Sequence, residues 1–426
     1  MNSLVNIKDS LYSFFKSPSE TLRQKARKSF SSLRNRNFRI LWIGGTLSHI
    51  GDDMQLVAVS WLVLLITNSP FLLGVASIVQ GIPRLFFGLI GGVMADRKNR
   101  HRLLIVYQGS EMFLSLFFAF LVFSGKIQFW HILILLPIFG FLKSAYMISR
   151  QAYVFDLVGK EELMNALALH STGMNLAKIV GPSLAGIIIG IWGVGWCLLI
   201  NGLSFIAILI SFLMMHPPAS LKRELYVGSI IQDLGETFIY LKQNKTILLL
   251  IIASFSTMMF GLHSQVILPL FARDVLKVGA SGYGFLMTVM GVGAVIGGVT
   301  VAGLGNLMAK GHYFLLTSLI YGFLLMLFSF SSWFILSLLL IFLMGIADIF
   351  SKTLNQTLVQ LLSPDNLRGR ILGVLMLDRG MRPLGGFLMG AGASFLGAPW
   401  ALASGAGICM FMALSLLFKS PQIRKL

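Results

Sequence analysis

Charge is scarce in this chain. Only 12% of its 426 residues are Asp, Glu, Lys or Arg, against about 25% in soluble domains. Acids are rarer than bases, with 16 Asp and Glu against 34 Lys and Arg. So little charge does not clothe a water-soluble fold of this length. The two cysteines, Cys197 and Cys409, both fall in apolar stretches, which excludes a disulfide framework and a thiolate metal site. No Gly-x-x-x-x-Gly-Lys-Ser/Thr loop, His-Glu-x-x-His or Gly-x-Ser-x-Gly occurs. Neither an ATP-driven pump nor a membrane-embedded enzyme is expected, and no cofactor or metal. The alternating segments of an outer-membrane barrel are missing. The N-terminus lacks a short basic region followed by an apolar core, so no signal peptide is expected.

What the chain has is oil: 56% of it is hydrophobic, with 34 Phe and 44 Gly. That composition predicts a polytopic α-helical membrane protein. A spanning helix needs about 20 mostly apolar residues. Twelve stretches qualify, numbered here as spans 1–12: 40–66, 71–95, 103–124, 130–155, 164–190, 194–215, 246–271, 281–304, 313–331, 333–361, 371–397 and 399–418. An even count puts both termini on one side. Of the 34 Lys and Arg, 24 fall on that side and 3 on the other. The positive-inside rule therefore assigns both termini to the cytoplasm. The net charge of +18 is accounted for by this topology and by anionic lipid, not by nucleic acid. The basic tail reads either as a surface helix over "LVNIKDSLYSFF", as a disordered tail or as a transit peptide.

The chain divides at its longest interior polar segment. The expected organisation is a tail (1–38), a six-helix bundle (39–215), a linker (216–245) with a surface helix in "SIIQDLGETFIYLK", a second six-helix bundle (246–418) and a short tail (419–426). An internal repeat supports the division. "RQAYVFDLVGKEELMNALAL" starts at Arg150, and "NQTLVQLLSPDNLRGRILGV" follows 205 residues later at Asn355. Gly181 and Gly186 also correspond to Gly385 or Gly386 and Gly390. Two similar halves usually rock against each other around a central site.

The acids inside the oil carry the functional question. In "SHIGDDMQLVAV", Asp52 lies twelve residues into span 1, about 18 Å deep at ~1.5 Å per residue. A charge there costs at least ~2.5–3.5 kcal/mol unless it meets water or a partner. Asp52 and Asp53 point about 100° apart, so one should face a central cavity and the other a helix interface. His49 is within helical reach of both. A carboxylate with a switchable cationic neighbour is what a proton-driven exchanger needs. Asp348 and Lys352 form an i,i+4 pair on span 10, and Lys143 on span 4 is the repeat partner of Asp348. "GLHSQ" in span 7 echoes "GDDMQ" in span 1, setting Gln265 against Gln55 and His263 against Asp53. Arg379 and Arg382 in span 11 either bind an anionic group or stabilise a gate. Glu111 in span 3 reads as an interface group beside the loop arginines.

The loop "GGVMADRKNRHRLL", with Gly92, Ala95, Asp96, Arg97 and Arg100, resembles the signature of the major facilitator superfamily. "GPSLAG", with Gly181, Pro182 and Gly186, is similar to the Gly-Pro motif of its antiporters. "FRILWIGGTLSHIGDDMQLVAVSWLVLLITNSP" and "SPDNLRGRILGV" resemble the branch that holds macrolide-efflux proteins and the enterobactin exporter. The resemblance implies two pseudo-symmetric six-helix bundles with spans 1, 4, 7 and 10 lining a cavity. His49, Asp52, Asp53, Gln55, Lys143, His263, Gln265, Asp348 and Lys352 would then be cavity candidates. It also implies that Asp96 contacts the start of span 11 near Arg370. A helix N-terminus favours a carboxylate, and Arg97, Arg100, Arg150, Arg370, Arg379 and Arg382 would complete the latch. Gly181, Pro182 and Gly186 would let span 5 bend and approach a neighbour.

The function expected is secondary active export of a small amphipathic compound (a drug, macrolide or siderophore) by a monomer in the bacterial inner membrane, powered by a proton gradient. The alternative is a lipid or lysophospholipid transporter on the same fold, since Gly-Asp-Asp also resembles the Gly-Asp-Asn of lysophospholipid carriers.

Overall fold

A computed structural model describes residues 31–97, 99–215, 230–263, 265–304, 309–365 and 367–425; for 84–97, 230–234, 378, 379 and 425 it gives the backbone path alone. The expected tail helix and the first part of the linker lie outside these residues. The described residues are helical, with no strand.

Span 1 is a helix over Arg36–Thr67. Asn35 starts it by accepting from Phe38 N–H at 3.1 Å, which satisfies one orphan donor of the first turn. Asn68 ends it in the left-handed conformation, φ 47°. Spans 4 and 5 are two helices, as expected, but in place of a polar loop they meet at one residue within the 64-residue stretch Phe129–Trp192. Straight, it would be about 96 Å long, three bilayer cores. It is folded back by a single non-helical residue, Gly159, at φ 70°. No other residue inside it leaves the helical region, and span 5 keeps helical backbone through Pro182. Gly193 joins spans 5 and 6 at φ 92°, and Gly397 joins spans 11 and 12 at φ 82°. These two tight corners are 204 residues apart, so the repeat read from the sequence is also a repeat of backbone geometry.

Nine of the twelve expected spans lie on eight helices that are each long and apolar enough to cross a membrane, the 64-residue run counting twice. Spans 2, 7 and 11 do not pass that test among the described residues. Span 2 is a helix, Pro70–Arg97, but it contains Pro83 and ends in charge. Span 7, expected to be continuous, stops at Phe260 and resumes at Ile267, then winds into a π turn over Phe271–Val275. Span 11 is interrupted at Leu377 between Arg368–Met376 and Asp378–Leu396. The linker contributes the helix Ile230–Gln243, which meets span 7 at a bend of 107° and so runs across the bundle's end.

Buried apolar side chains fall into three clusters. One is shared by both halves and holds Met54–Leu64 together with Leu262–Leu286 and Met344. The other two lie toward the end that carries the chain termini. One belongs to the N-terminal half, from Phe38 to Met215, and one to the C-terminal half, from Leu241 to Ile423. The halves therefore meet at the end far from the termini and part toward the terminal end. Small residues make the far-end seam, as expected where lipid removes the hydrophobic drive between helices. A methyl on Gly74 of span 2 would stand 3.2 Å from Gly390 of span 11. One on Gly284 of span 8 would stand 2.8 Å from Gly186 of span 5. Ser281 and Thr288 on span 8 donate to the Gly186 and Ile179 carbonyls at 3.0 and 3.1 Å.

Candidate functional site

The shared core ends, and the two separate cores begin, at the depth of the intramembrane charges. On span 1, Leu41 belongs to the N-terminal cluster and Met54 to the shared one. On span 10, Ala347 is in the shared cluster and Leu354 in the C-terminal one. Asp52, Asp53, Asp348 and Lys352 sit in these intervals.

In the N-terminal half, Lys143 Nζ of span 4 is ion-paired with Asp52 Oδ2 of span 1. The two side chains are 20% and 22% exposed, so neither is fully sealed in hydrocarbon. Asp53 points the other way, as the 100° step requires. Its Cβ lies against Gly181 of span 5, where an added methyl would come within 2.7 Å. Among the described residues Asp53 has no ion-pair partner. His49 approaches Asp52 Oδ2 with Nδ1 at 3.5 Å, and its Nε2 receives Arg150 Nη1 at 3.2 Å. Arg150 also donates to His170 Nδ1 of span 5 at 2.8 Å. Expected at the gate, Arg150 is instead 5% exposed and inside the bundle. Gly45 makes the room, because a methyl there would lie 2.8 Å from Arg150 Nη2. Gln55, a cavity candidate, is 8% exposed and faces neighbouring helices. Its Oε1 accepts from Ser115 Oγ at 2.9 Å and from Asn201 Nδ2 at 2.7 Å, tying spans 1, 3 and 6. Glu111 is not at the interface but 2% exposed, and it accepts from Gln108 Nε2 at 2.5 Å.

The C-terminal half answers with a different arrangement. Lys352 Nζ donates to Asp348 Oδ2 at 2.6 Å along span 10. Both line a small cavity of about 50 Å³ with His263, Tyr321, Met344 and Arg382. That volume holds a water or two. His263 donates Nε2–H to the Met259 carbonyl at 2.9 Å. Its ring lies against Gly385 of span 11, where a methyl would come within 2.6 Å of Nε2. Asp53 against Gly181 and His263 against Gly385 are thus equivalent contacts in the two halves, as the faint echo between spans 1 and 7 suggests. Gln265 lies in the non-helical break of span 7, half-buried. Arg382, grouped with the gate, lines the cavity instead.

The remaining gate candidates are scattered. The side chains of Asp96, Arg97 and Arg379 lie outside the described residues. Arg100 donates to Asp156 at 2.7 Å, joining spans 3 and 4. Arg370 donates to Glu236 of the linker helix at 2.7 Å. Pro182 and Gly186 are on the seam, the Pro182 carbonyl and Gly186 backbone facing Gly284 of span 8. His170 was not among the sequence candidates. A single histidine in an apolar helix carries no spacing signal, and its partner is 20 residues away around the Gly159 corner.

Comparison with known proteins places this geometry. The family model described as "Transmembrane secretion effector" matches residues 27–425. The staphyloferrin A transporter of Staphylococcus aureus is 25% identical over 82% of this chain and 88% of its own length. The enterobactin exporter EntS of Shigella boydii is 26% identical over 89% of this chain and 91% of its own. Among solved structures, an inward-facing, unoccupied bacterial homologue of the human lysosomal transporter Spinster superposes with a TM-score of 0.69 at 15% identity, covering 92% and 96% of the two chains. The nucleoside transporter NupG gives 0.71 at 15% identity, covering 89% and 98%. At that identity the two structures speak for the fold alone. The chain belongs to the major facilitator superfamily, in its transmembrane secretion effector family, and is a multi-pass membrane transporter of small molecules rather than an enzyme.

Proposed function

We propose that the protein exports a small amphipathic, acid-bearing chelator of the siderophore class, in exchange for protons, by alternating access. The positive-inside bias supports a cytoplasmic terminal end, and the bacterial inner membrane is the setting this reading assigns. The parted end then faces the compartment from which cargo is loaded. The names of the two relatives, a staphyloferrin A transporter and an enterobactin exporter, support the cargo class. The carrying observation is the pair of charged clusters, one in each half, at the depth where the shared core gives way to separate ones.

The two clusters suit different tasks. Lys352 and Arg382 outnumber Asp348 at the C-terminal cavity and offer charge-assisted donors to an acidic group. Met258, Met290 and Met344 supply a polarisable apolar wall beside them. Across the seam, Asp53 is a carboxylate with no ion-pair partner among the described residues. A hydroxyl or amide donor of the cargo takes the place of a proton there. Proton and cargo therefore compete for Asp53, and that competition is exchange. Asp52, held by Lys143, keeps span 1 in place. The proton gradient is the energy source, with no bound cofactor, and one chain suffices as the transporting unit.

The test is efflux from proteoliposomes with an imposed pH gradient, using iron-free catecholate and hydroxycarboxylate chelators as cargo and a lysophospholipid as the competing one. Asp53→Asn should abolish gradient-driven efflux and keep cargo-for-cargo exchange. Gradient-driven transport that survives Asp53→Asn refutes the coupling. Transport of the lysophospholipid alone refutes the cargo class.

A further inference from the structure

The groups from Asp52 to His170 form a continuous polar line inside the N-terminal half. Asp52 meets His49 at 3.5 Å, His49 meets Arg150 at 3.2 Å, and Arg150 meets His170 at 2.8 Å. The line descends toward the terminal end. Lys143 and Arg150 are seven residues apart on span 4, about 10 Å along a helix. All its members are on spans 1, 4 and 5. Rocking one half against the other opens and closes the cleft between halves but leaves a line inside one half unchanged. Under the exchange reading above, on which this inference rests, the carboxylates face the outside in the opposite state. Two histidines leading from them to the cytoplasmic end would then short-circuit the gradient.

The line is interrupted by a group that cannot relay. A guanidinium has five donors and no acceptor. Arg150 Nη1 faces His49 Nε2 at 3.2 Å and stands 2.8 and 3.1 Å from the two nitrogens of His170, so His49 Nε2 and the bare nitrogen of His170 accept, and a further proton on either ring would meet the guanidinium charge. His49 then carries its own proton on Nδ1, toward Asp52. The positive charge is also left unmatched. Among the described residues Arg150 forms no ion pair with a carboxylate, and its Nε is buried with no acceptor. An arginine kept only to fasten helices would be expected to satisfy that donor. Tyr146 and Lys143 face it on its own helix, and Glu111 of span 3 acts on those two.

We propose that Arg150 is a fixed proton barrier: by donating to both His49 and His170 it seals the N-terminal half against a leak between the Asp52–Asp53 site and the terminal end. It touches no cargo; it positions two rings so that neither accepts a proton from the other. Fixed positive charge excludes protons from other membrane pores in the same physical way.

The experiment reads decay of an imposed pH gradient in cargo-free proteoliposomes with a trapped pH dye. Wild type should hold the gradient as protein-free vesicles do. Arg150→Gln should leak faster by about a hundredfold, the rate factor for removing a like charge at hydrogen-bond range. Arg150→Lys should stay tight. Arg150→Gln combined with His170→Phe should be tight again, because the line is cut elsewhere. Gly45→Ala keeps the arginine but crowds its Nη2, and should leak at an intermediate rate, which covers the case that Arg150→Gln does not assemble. A purely structural role predicts lower thermal stability in detergent with no leak. Tight vesicles for both Arg150→Gln and Gly45→Ala overturn the barrier, and so does a leak that persists in the double variant. Failure of the exchange reading would show separately, as wild-type efflux indifferent to the pH gradient.

Discussion

The two halves repeat one another in sequence and backbone, yet they handle the same buried charge in opposite ways. At the position where the N-terminal half has Lys143, the C-terminal half has Asp348. Lys143 reaches across to Asp52 on span 1, so its ion pair ties two helices. Asp348 finds Lys352 on its own helix, so its pair ties nothing to span 7. Span 7 also stops at Phe260 and resumes at Ile267, and span 11 is interrupted at Leu377, while span 1 runs unbroken for 32 residues. Gln55, Ser115 and Asn201 add cross-helix hydrogen bonds in the N-terminal half. A stiff half that fixes its ionisable groups suits protons, which need one geometry. A looser half with methionines and two cations beside one carboxylate suits cargo, which needs room to adjust.

The comparison breaks most visibly at the two lysines. Lys143→Met leaves Asp52 partly buried without its cation and should cost about 3 kcal/mol of stability, the low end for a broken buried pair. Adding Asp52→Asn should recover most of that loss, since replacing both partners removes the uncompensated charge. Lys352→Met should cost no more than about 0.5 kcal/mol, because an i,i+4 pair with a 38% exposed lysine is worth little. Thermal melting in detergent distinguishes the two. Equal losses would erase the contrast between a stiff and a loose half.

The seam comes next in size. Gly284 and Gly186 touch so closely that Gly284→Val must push the far ends of spans 5 and 8 apart. Overpacking of this kind costs about 1–3 kcal/mol, and here the cost falls only on the state closed at the far end. The variant should therefore shift toward the outward-open form, read as increased labelling of a cysteine placed at Ser281. Unchanged labelling would mean that the seam is not what holds the far end shut.

Much of this was legible in the sequence, for identifiable reasons. Apolar runs of about 20 residues marked the spans because lipid imposes that length, and the 205-residue offset marked the halves because the same span, charged corner and span recur in each. The intramembrane charges announced a site because their cost is independent of their partner. The partners themselves were not legible. Asp52 and Lys143 are 91 residues apart, and no periodicity links them. Arg150 was expected at the gate because it stands at the charged end of span 4; its inward turn depends on the absence of a side chain at Gly45 on another helix. Gln55 looked like a cavity residue by its echo in Gln265, but hydrophobic pattern does not reveal which face of a wholly apolar helix meets a neighbour. The breaks in spans 7 and 11 left no local signal as strong as Gly159.

A smaller effect sharpens the division of labour. Lys352→Gln and Arg382→Gln should each raise the half-saturating cargo concentration about tenfold, the loss of one charge-assisted contact of ~1.4 kcal/mol. Neither should alter proton leak or melting. Lys143→Gln should show the reverse pattern, with stability lost before affinity. If the lysine of span 4 proved the stronger determinant of affinity, the cargo would be held by the stiff half and the assignment of tasks would be inverted.

The smallest effect is expected where each half is fastened at the terminal end. In the N-terminal half, Ser31 and Ser32 donate to Glu162 at 2.5 and 3.0 Å, docking the start of the chain on the corner between spans 4 and 5. These two donors, with a smaller attraction from Arg34, hold the Glu162 carboxyl below its usual range. The sign follows: a carboxyl lowered by folding stabilises the docked form above its unfolded value, and the contribution disappears as pH falls through the lowered one. In the C-terminal half, Arg370 holds the linker helix through Glu236, with the two side chains 34% and 54% exposed. An ion pair so exposed contributes about 0–1 kcal/mol and weakens in salt. Glu236→Gln should therefore leave melting nearly unchanged and abolish any salt dependence of linker protection in hydrogen exchange. Docking of residues 31–34 should weaken less in the same salt and loosen in acid, because two hydroxyl donors to the carboxylate dominate there and the attraction of Arg34 is the smaller contribution. Opposite responses of the two fastenings to salt and acid would extend the contrast between the halves to their outer ends; identical responses would confine it to the charges in the membrane.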